Sequence, residues 1–192
     1  MYITKEPRRY RIGCFNWTDF IADCSAEFDI WHSGDCLHIH YYVDEPAVVA
    51  RCGADMEHVW EDSCVEFFFD PLCDGTYYNV ESNCIGRLYL CHGTSRSGRI
   101  PVSSEALESI HRESSLGNEP FGISNNRTKW DLRLDIPSSV FSLDTFSGLK
   151  ARGNFYKCAD ASPARHYMSL YPIHTPKPDF HRPEFFDDLI FE

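Results

Sequence analysis

Two carboxylates and one indole carry the chemistry written into this chain. Trp60 opens the run Trp60-Glu61-Asp62-Ser63-Cys64-Val65-Glu66-Phe67-Phe68-Phe69-Asp70-Pro71, where Glu66 is the one acid between Cys64 and Phe69. An indole beside a fixed acceptor suits a sugar ring: axial C–H groups pack on the aromatic face and the carboxylate accepts hydroxyl hydrogen bonds. Trp60 and Glu66 are six residues apart, an even spacing that puts both on one face if strand geometry reaches back to Trp60. The same residues fit a core Trp with a structural Glu66 bonded to Arg87 or to a backbone amide, and the spacing leaves both readings open.

Glu81 adds a second possibility. The Cys73-Asp74-Gly75-Thr76 turn would bring it beside Glu66 on neighbouring antiparallel strands. Carboxyl pairs drive glycoside hydrolysis, at separations of about 5–5.5 Å for retention and about 6.5–9.5 Å for inversion. A glycoside hydrolase-like enzyme using Glu66 and Glu81 is therefore one alternative, and a protein-interaction module using the same face is another. His38-Ile39-His40 places two imidazoles on one strand face but lacks a spaced third ligand, so surface histidines are expected. Asp62, Asp70 and Asp74 offer oxygens for calcium, yet without EF-hand spacing they fit turn and cap duties better. Cys91 and His92, as adjacent strand residues, would face opposite ways, which is poor placement for a thiol and its base. No nucleophile elbow or Walker loop occurs.

The elements that must hold these groups read as strands. Leu37-Ile39-Tyr41-Val43, Val65-Phe67-Phe69, Tyr78-Val80-Ser82-Cys84, Leu88-Leu90 and Trp130-Leu132-Leu134-Ile136 each alternate with a second set of residues. The strand holding Glu66 is apolar on both faces otherwise, which predicts a central position. Further strands are expected at Gly153 to Cys158 and Leu189 to Phe191. One helix is expected from about Ser104, as N-cap, to Ile110, with a helical turn after Ile136-Pro137. Arg112 to Lys129 and Thr175 to Glu184 read as long loops. The sum is an all-β chain, an antiparallel β-sandwich with one short helix, in a single domain over residues 1–192.

Bulk properties narrow the partners. A net charge of −11 argues against nucleic acid, and Arg8-Arg9-Tyr10-Arg11 is expected to be a solvated N-terminal segment. No apolar run has the length of a membrane span. The nine cysteines form no CxxC or zinc-finger pattern and are expected as reduced thiols. With no apolar signal-type stretch at Met1 to Pro7, a cytoplasmic setting is expected, or a secreted or periplasmic one for a trimmed chain.

Four blocks in order resemble carbohydrate-binding module family 9-like domains. They are Trp60 to Phe69, Tyr77-Tyr78-Asn79-Val80-Glu81-Ser82-Asn83-Cys84-Ile85-Gly86, Ala151-Arg152-Gly153-Asn154-Phe155-Tyr156-Lys157-Cys158, and Pro178-Asp179-Phe180-His181-Arg182-Pro183-Glu184-Phe185-Phe186. The resemblance implies an immunoglobulin-like or jelly-roll sandwich that binds carbohydrate without catalysis, of the kind appended to bacterial xylanases and other polysaccharide-degrading enzymes. It implies a two-ring sugar clamp and structural calcium. By position, Trp60 matches one ring, Glu66 a hydroxyl acceptor and Asn83 a polar partner, with Glu81 and Tyr171 as further candidates. Two departures stand out: Glu81 takes the place of an arginine, and Leu170 that of a tryptophan.

Overall fold

The computed structural model describes residues 1–192. Fifteen strands form in chain order: β1 (Tyr2–Ile3), β2 (Arg8–Ile12), β3 (Ser25–His32), β4 (Cys36–Glu45), β5 (Val48–Ala50), β6 (Cys64–Asp70), β7 (Tyr77–Asn83), β8 (Leu88–Gly93), β9 (Ile100–Pro101), β10 (His111–Ser114), β11 (Phe121–Ser124), β12 (Thr128–Pro137), β13 (Lys150–Cys158), β14 (Tyr167–Ser169) and β15 (Asp187–Phe191). They make an eight-stranded sheet in the order β1-β15-β13-β6-β7-β8-β9, with β14 also on β13, and a five-stranded sheet in the order β10-β12-β4-β3-β2. A small β5–β11 pair completes the set. All pairings are antiparallel except β1 with β15. No helix is long and apolar enough to cross a membrane.

Alternation explains how the two sheets close on each other. β3 and β4 bury every second residue, and Phe28, Ile30, Leu37, Ile39, Tyr41 and Val43 face inward. Val65, Phe67 and Phe69 of β6 meet them from the large sheet, and Phe155 of β13 stacks between Phe28 and Phe67 at centroid distances of 4.1 and 4.4 Å. β6 is buried along its whole length, as its doubly apolar sequence requires of a central strand. The outward residues of β6, β7 and β13 then belong to a second apolar cluster on the far face of the large sheet, which includes Phe68, Tyr77 and Tyr156.

Three local expectations need correction. Ser103, not Ser104, caps the helix α1 (Ser104–Ser109), its side chain accepting the Ala106 amide at 3.2 Å. Residues 112–129 hold most of β10 and all of β11 instead of one long loop. Arg8 to Arg11 are largely exposed, as expected of a solvated segment, and form the edge strand β2, where Arg9 grips Asp29 through two bonds of 2.8 and 2.7 Å. Glu66 has no bond to Arg87, whose guanidinium reaches the Asn118 carbonyl instead. Expectations that hold include the central β6, the turn linking β6 to β7 and the short helical turn at Ser138–Phe141.

Gly153 marks the tightest packing in the large sheet. A Cβ there would sit 2.5 Å from the Phe68 carbonyl oxygen and 2.8 Å from Leu189 Cδ1. Overpacking of this kind costs about 1–3 kcal/mol. Gly153→Ala is therefore expected to lower the urea midpoint by an amount equivalent to about 2 kcal/mol; an unchanged midpoint would refute this close approach.

Candidate functional site

A cleft of about 440 Å³ opens on the outer face of the large sheet. Glu66 of β6, Asn79 and Glu81 of β7, Tyr89 of β8 and Cys158 at the end of β13 line it. Connecting segments raise its walls: Trp60 before β6, Arg96 and Arg99 between β8 and β9, Asp160 and Arg165 before β14, and Pro178 to His181. Tyr167 of β14 joins them. The sheet fixes the spacing of the floor groups, while the loops supply rings and charges.

Trp60 sits in a 3-10 turn, Val59–Glu61, so even strand spacing does not explain its place beside Glu66. The turn is fixed from below by Asp62, which accepts the amides of Arg51 and Cys52 at 2.8 and 3.0 Å. The indole is half-buried. His58, outside the cleft, stacks against it with centroids 4.5 Å apart, and Tyr89 meets it nearly at right angles at 5.1 Å. Tyr167 and Phe180 provide further aromatic wall, Phe180 stacking on Tyr156 at 4.3 Å.

Glu66 and Glu81 are direct cross-strand partners, only 3% and 4% exposed. Glu66 has one side-chain partner, the Cys158 thiol, which donates to its Oε1 at 3.1 Å. Burial pushes the Glu66 carboxyl well above the usual range, and the neighbouring Cys158 and Glu81 push it the same way. Burial also raises Glu81, to about 7, against the opposing pull of the Asn79 amide and of Arg99 and Arg96. The pair therefore titrates as a unit and carries a proton near neutrality, able to donate as well as accept.

A relay fixes that pair. Arg99 Nε donates to Asn79 Oδ1 at 2.8 Å, and Asn79 Nδ2 donates to Glu81 Oε1 at 2.7 Å. Arg99 itself is locked by the carbonyls of Ser95 and Tyr77 at 2.9 and 2.7 Å and lies over the Tyr77 ring. The arginine missing from position 81 is thus supplied to the same wall from the β8–β9 connection. Arg96 is paired with Asp179 at 2.8 Å and Arg165 lies 3.6 Å from Asp160. Burial and both nearby arginines push His181 down to about 3, so it stays neutral while its Nδ1 meets the Tyr77 hydroxyl at 2.9 Å.

The two remaining candidates lie elsewhere. Asn83 is fully buried below the Trp60 turn, its amide bonded to Asp62 and the Cys52 carbonyl at 2.9 and 3.2 Å and its oxygen taken by the Arg87 amide. Asn79, two turns of the pleat away on the same face, is the cleft asparagine. Tyr171 does not line the cleft; burial raises its phenol, and the charges acting on it are those of Asp187, Tyr10 and Asp188. No sequence pattern marks Asn79, Tyr89 or Arg99, because loop packing from distant segments selects them.

The calcium expectation finds no matching cage among the aspartates. Asp62 is spent on amides as described, Asp70 accepts from Asp74 and Gly75, and Asp74 accepts from Thr76. Six to eight converging oxygens, as calcium requires, are not assembled there. His38 and His40 instead bridge to Asp135 and Asp131 across β4 and β12 at 2.6 and 2.8 Å.

Acidification is expected to stabilise the fold through the buried pair. An unfolded Glu titrates near ~4.3, whereas folded Glu81 holds its proton up to about 7. The folded state binds the extra proton between those values, so stability is greatest at the acid end and falls as pH rises through 7. Melting should occur at higher temperature at pH 5.5 than at pH 8, and Glu81→Gln should flatten that slope. An equally steep slope in the variant would contradict the assignment.

Fold and cleft together define a β-sandwich that presents a ring-lined, hydroxyl-matching pocket on its outer sheet face. The carbohydrate-binding family 9 model matches residues 4–191, and the chain belongs to that family. Its likeness to a candidate carbohydrate-binding protein from Bacteroides uniformis has a TM-score of 0.94 at 39% identity, covering 97% of this chain and 87% of that one. A family 9 module from Caldicellulosiruptor kristjanssonii in complex with glucose gives a TM-score of 0.67 at 12% identity, covering 100% of this chain and 95% of that one. The cellotriose complex of a family 9 module from the same organism gives 0.59 at 12%, covering 100% and 93%. No curated protein matches the chain.

Proposed function

We propose that this non-catalytic carbohydrate-binding protein takes a neutral pyranose, alone or at the end of a short oligosaccharide, in the cleft beside Trp60. The observation that carries this is the placement of the half-buried indole and the Glu66–Glu81 pair in one cleft of about 440 Å³. Trp60 supplies the stacking face, Glu66 and Glu81 exchange hydrogen bonds with hydroxyls, and the buried Asn79 holds Glu81 in place. Because the carboxyl pair holds a proton near neutrality, it matches hydroxyls that both give and accept hydrogen bonds. A neutral sugar fits best, because Arg96 and Arg165 already face carboxylates and Arg99 is spent on carbonyls and Asn79. The glucose and cellotriose held by the Caldicellulosiruptor modules favour a glucan type of ligand, and the resemblance to modules appended to xylanases makes xylan the second candidate. We place the protein accordingly in bacterial polysaccharide breakdown, and its nine thiols favour a reducing compartment.

Calorimetric titration with glucose, xylose and cellotriose tests the reading. Saturable binding of one ligand per chain by at least one of them is expected; heats equal to dilution for all three would overturn it. Chromogenic glycosides should show no turnover above a Glu66→Gln control, and turnover abolished by that change would instead favour hydrolysis.

A further inference from the structure

Cys64 of β6 and Cys158 of β13 are direct register partners. Glu66, two residues along β6, points to the same outer face. The two sulfurs and a Glu66 carboxyl oxygen lie within 4.8 Å of one another, and all three residues are buried. Cys158 and Glu66 reach the cleft, whereas Cys64 lies behind them.

We propose that Cys64, Cys158 and Glu66 form a binding site for a thiophilic divalent ion of the zinc class, which enters from the cleft and leaves its fourth coordination position facing it. Geometry supports this: tetrahedral bonds of about 2.3 Å to sulfur and about 2.0–2.2 Å to oxygen set ligand atoms roughly 3.5–3.8 Å apart. The Cys158 sulfur and Glu66 Oε1, now 3.1 Å apart, would open by about half an ångström, and the other two spacings would close by no more than about 1.3 Å, as side-chain adjustments on two rigid strands. Donor chemistry selects the ion, since two thiols with one carboxylate suit a soft or borderline metal and not calcium. The nook also lacks a competing cation. Lys157 lies on the opposite face of β13, bonded to Glu45 at 3.0 Å. Glu66 is left with a thiol partner, a weak donor that an ion readily replaces.

This site does not depend on the sugar reading, although both ligands would draw on Glu66. Cadmium titrated into the fully reduced protein should give a thiolate-to-metal charge-transfer band that saturates at one ion per chain. Cys64→Ser and Cys158→Ser should each abolish that band, Glu66→Gln should weaken binding by about tenfold or more, and replacement of the exposed, remote Cys73 by Ser should change nothing. The wild-type chain offers a measurement free of folding concerns. Thiols are protonated at neutral pH and lose their protons on ligation, so zinc in weak buffer should release about two protons per ion. A band that survives in both serine variants, or release of less than one proton per ion, would overturn the proposal. Sugar titration of the metal-free protein reads the carbohydrate function separately, so failure of one leaves the other standing.

Discussion

Trp60→Ala is expected to lower sugar affinity by roughly 30- to 150-fold, beyond detection for a weak ligand. The estimate combines the apolar area a pyranose covers on an indole with the added attraction of ring stacking, together about 2–3 kcal/mol. Hydroxyl contacts cannot make up the loss, because each exchanges a water bond for a protein bond at a net gain of about 1 kcal/mol. The fold should survive. The ring is half-buried, and the backbone bonds that seat its turn, such as the Trp60 carbonyl to the Asp160 amide at 3.4 Å, do not need the indole. Calorimetry with the ligand bound by the wild-type chain checks this alongside a melting curve. Unchanged binding heat in a folded variant would remove the platform from the account.

The second large effect lies inside the sandwich. Lys157 points from β13 into the core, where its ammonium donates to Glu45 Oε2 at 3.0 Å and to the Cys158 carbonyl at 2.8 Å, both side chains being fully buried. Glu45 also receives the Trp130 indole N–H at 2.7 Å, and His166 Nε2 lies 3.8 Å away. Burial, the largest single influence, opposes the charged lysine, yet Glu45 together with Cys24 and Cys158 holds the ammonium above its ordinary range. Burial and Lys157 push His166 down to about 3, so the imidazole stays neutral and the positive charge belongs to Lys157. Removing one partner of a buried pair strands the other charge, at a cost of about 3–5 kcal/mol. Lys157→Met should therefore lower the melting temperature by on the order of 10 °C. Replacing Glu45 and Lys157 together by apolar residues should recover most of that loss, since the desolvation cost of both charges disappears. A single variant as stable as wild type would show that the pair is solvated.

The sheet was legible where large apolar residues fill three or more alternate places in a strand. Trp130 to Ile136 and Leu37 to Val43 alternate cleanly, and the doubly apolar run around Glu66 reads as the central strand it is. The turn at Cys73 to Thr76 also put Glu66 and Glu81 on neighbouring antiparallel strands. Edge pieces were harder, because β2 with its arginines buries one residue in five and gives little periodic signal. β3 alternates as cleanly as β4, yet of its inward residues only Phe28 and Ile30 are large and apolar, with Ala26 and His32 at the two ends, so the period is short. The site was half legible. Period two puts Asn79, Glu81 and Asn83 on one face but cannot say which of them a loop covers. The segment from Arg51 to Asp62 folds over Asn83 and leaves the likewise buried Asn79 at the cleft lining, a consequence of contacts from about 20–30 residues away in the chain. Arg99 is invisible for the same reason, since its role depends on where the β8–β9 connection lands.

A crystal structure grown at saturating cellotriose tests the central claim most directly. A pyranose ring is expected in van der Waals contact with the Trp60 indole, within about 4 Å, with hydroxyls bonded to Glu66 or Glu81. A sugar seated elsewhere on the sandwich, with the cleft open and Trp60 untouched, would contradict it.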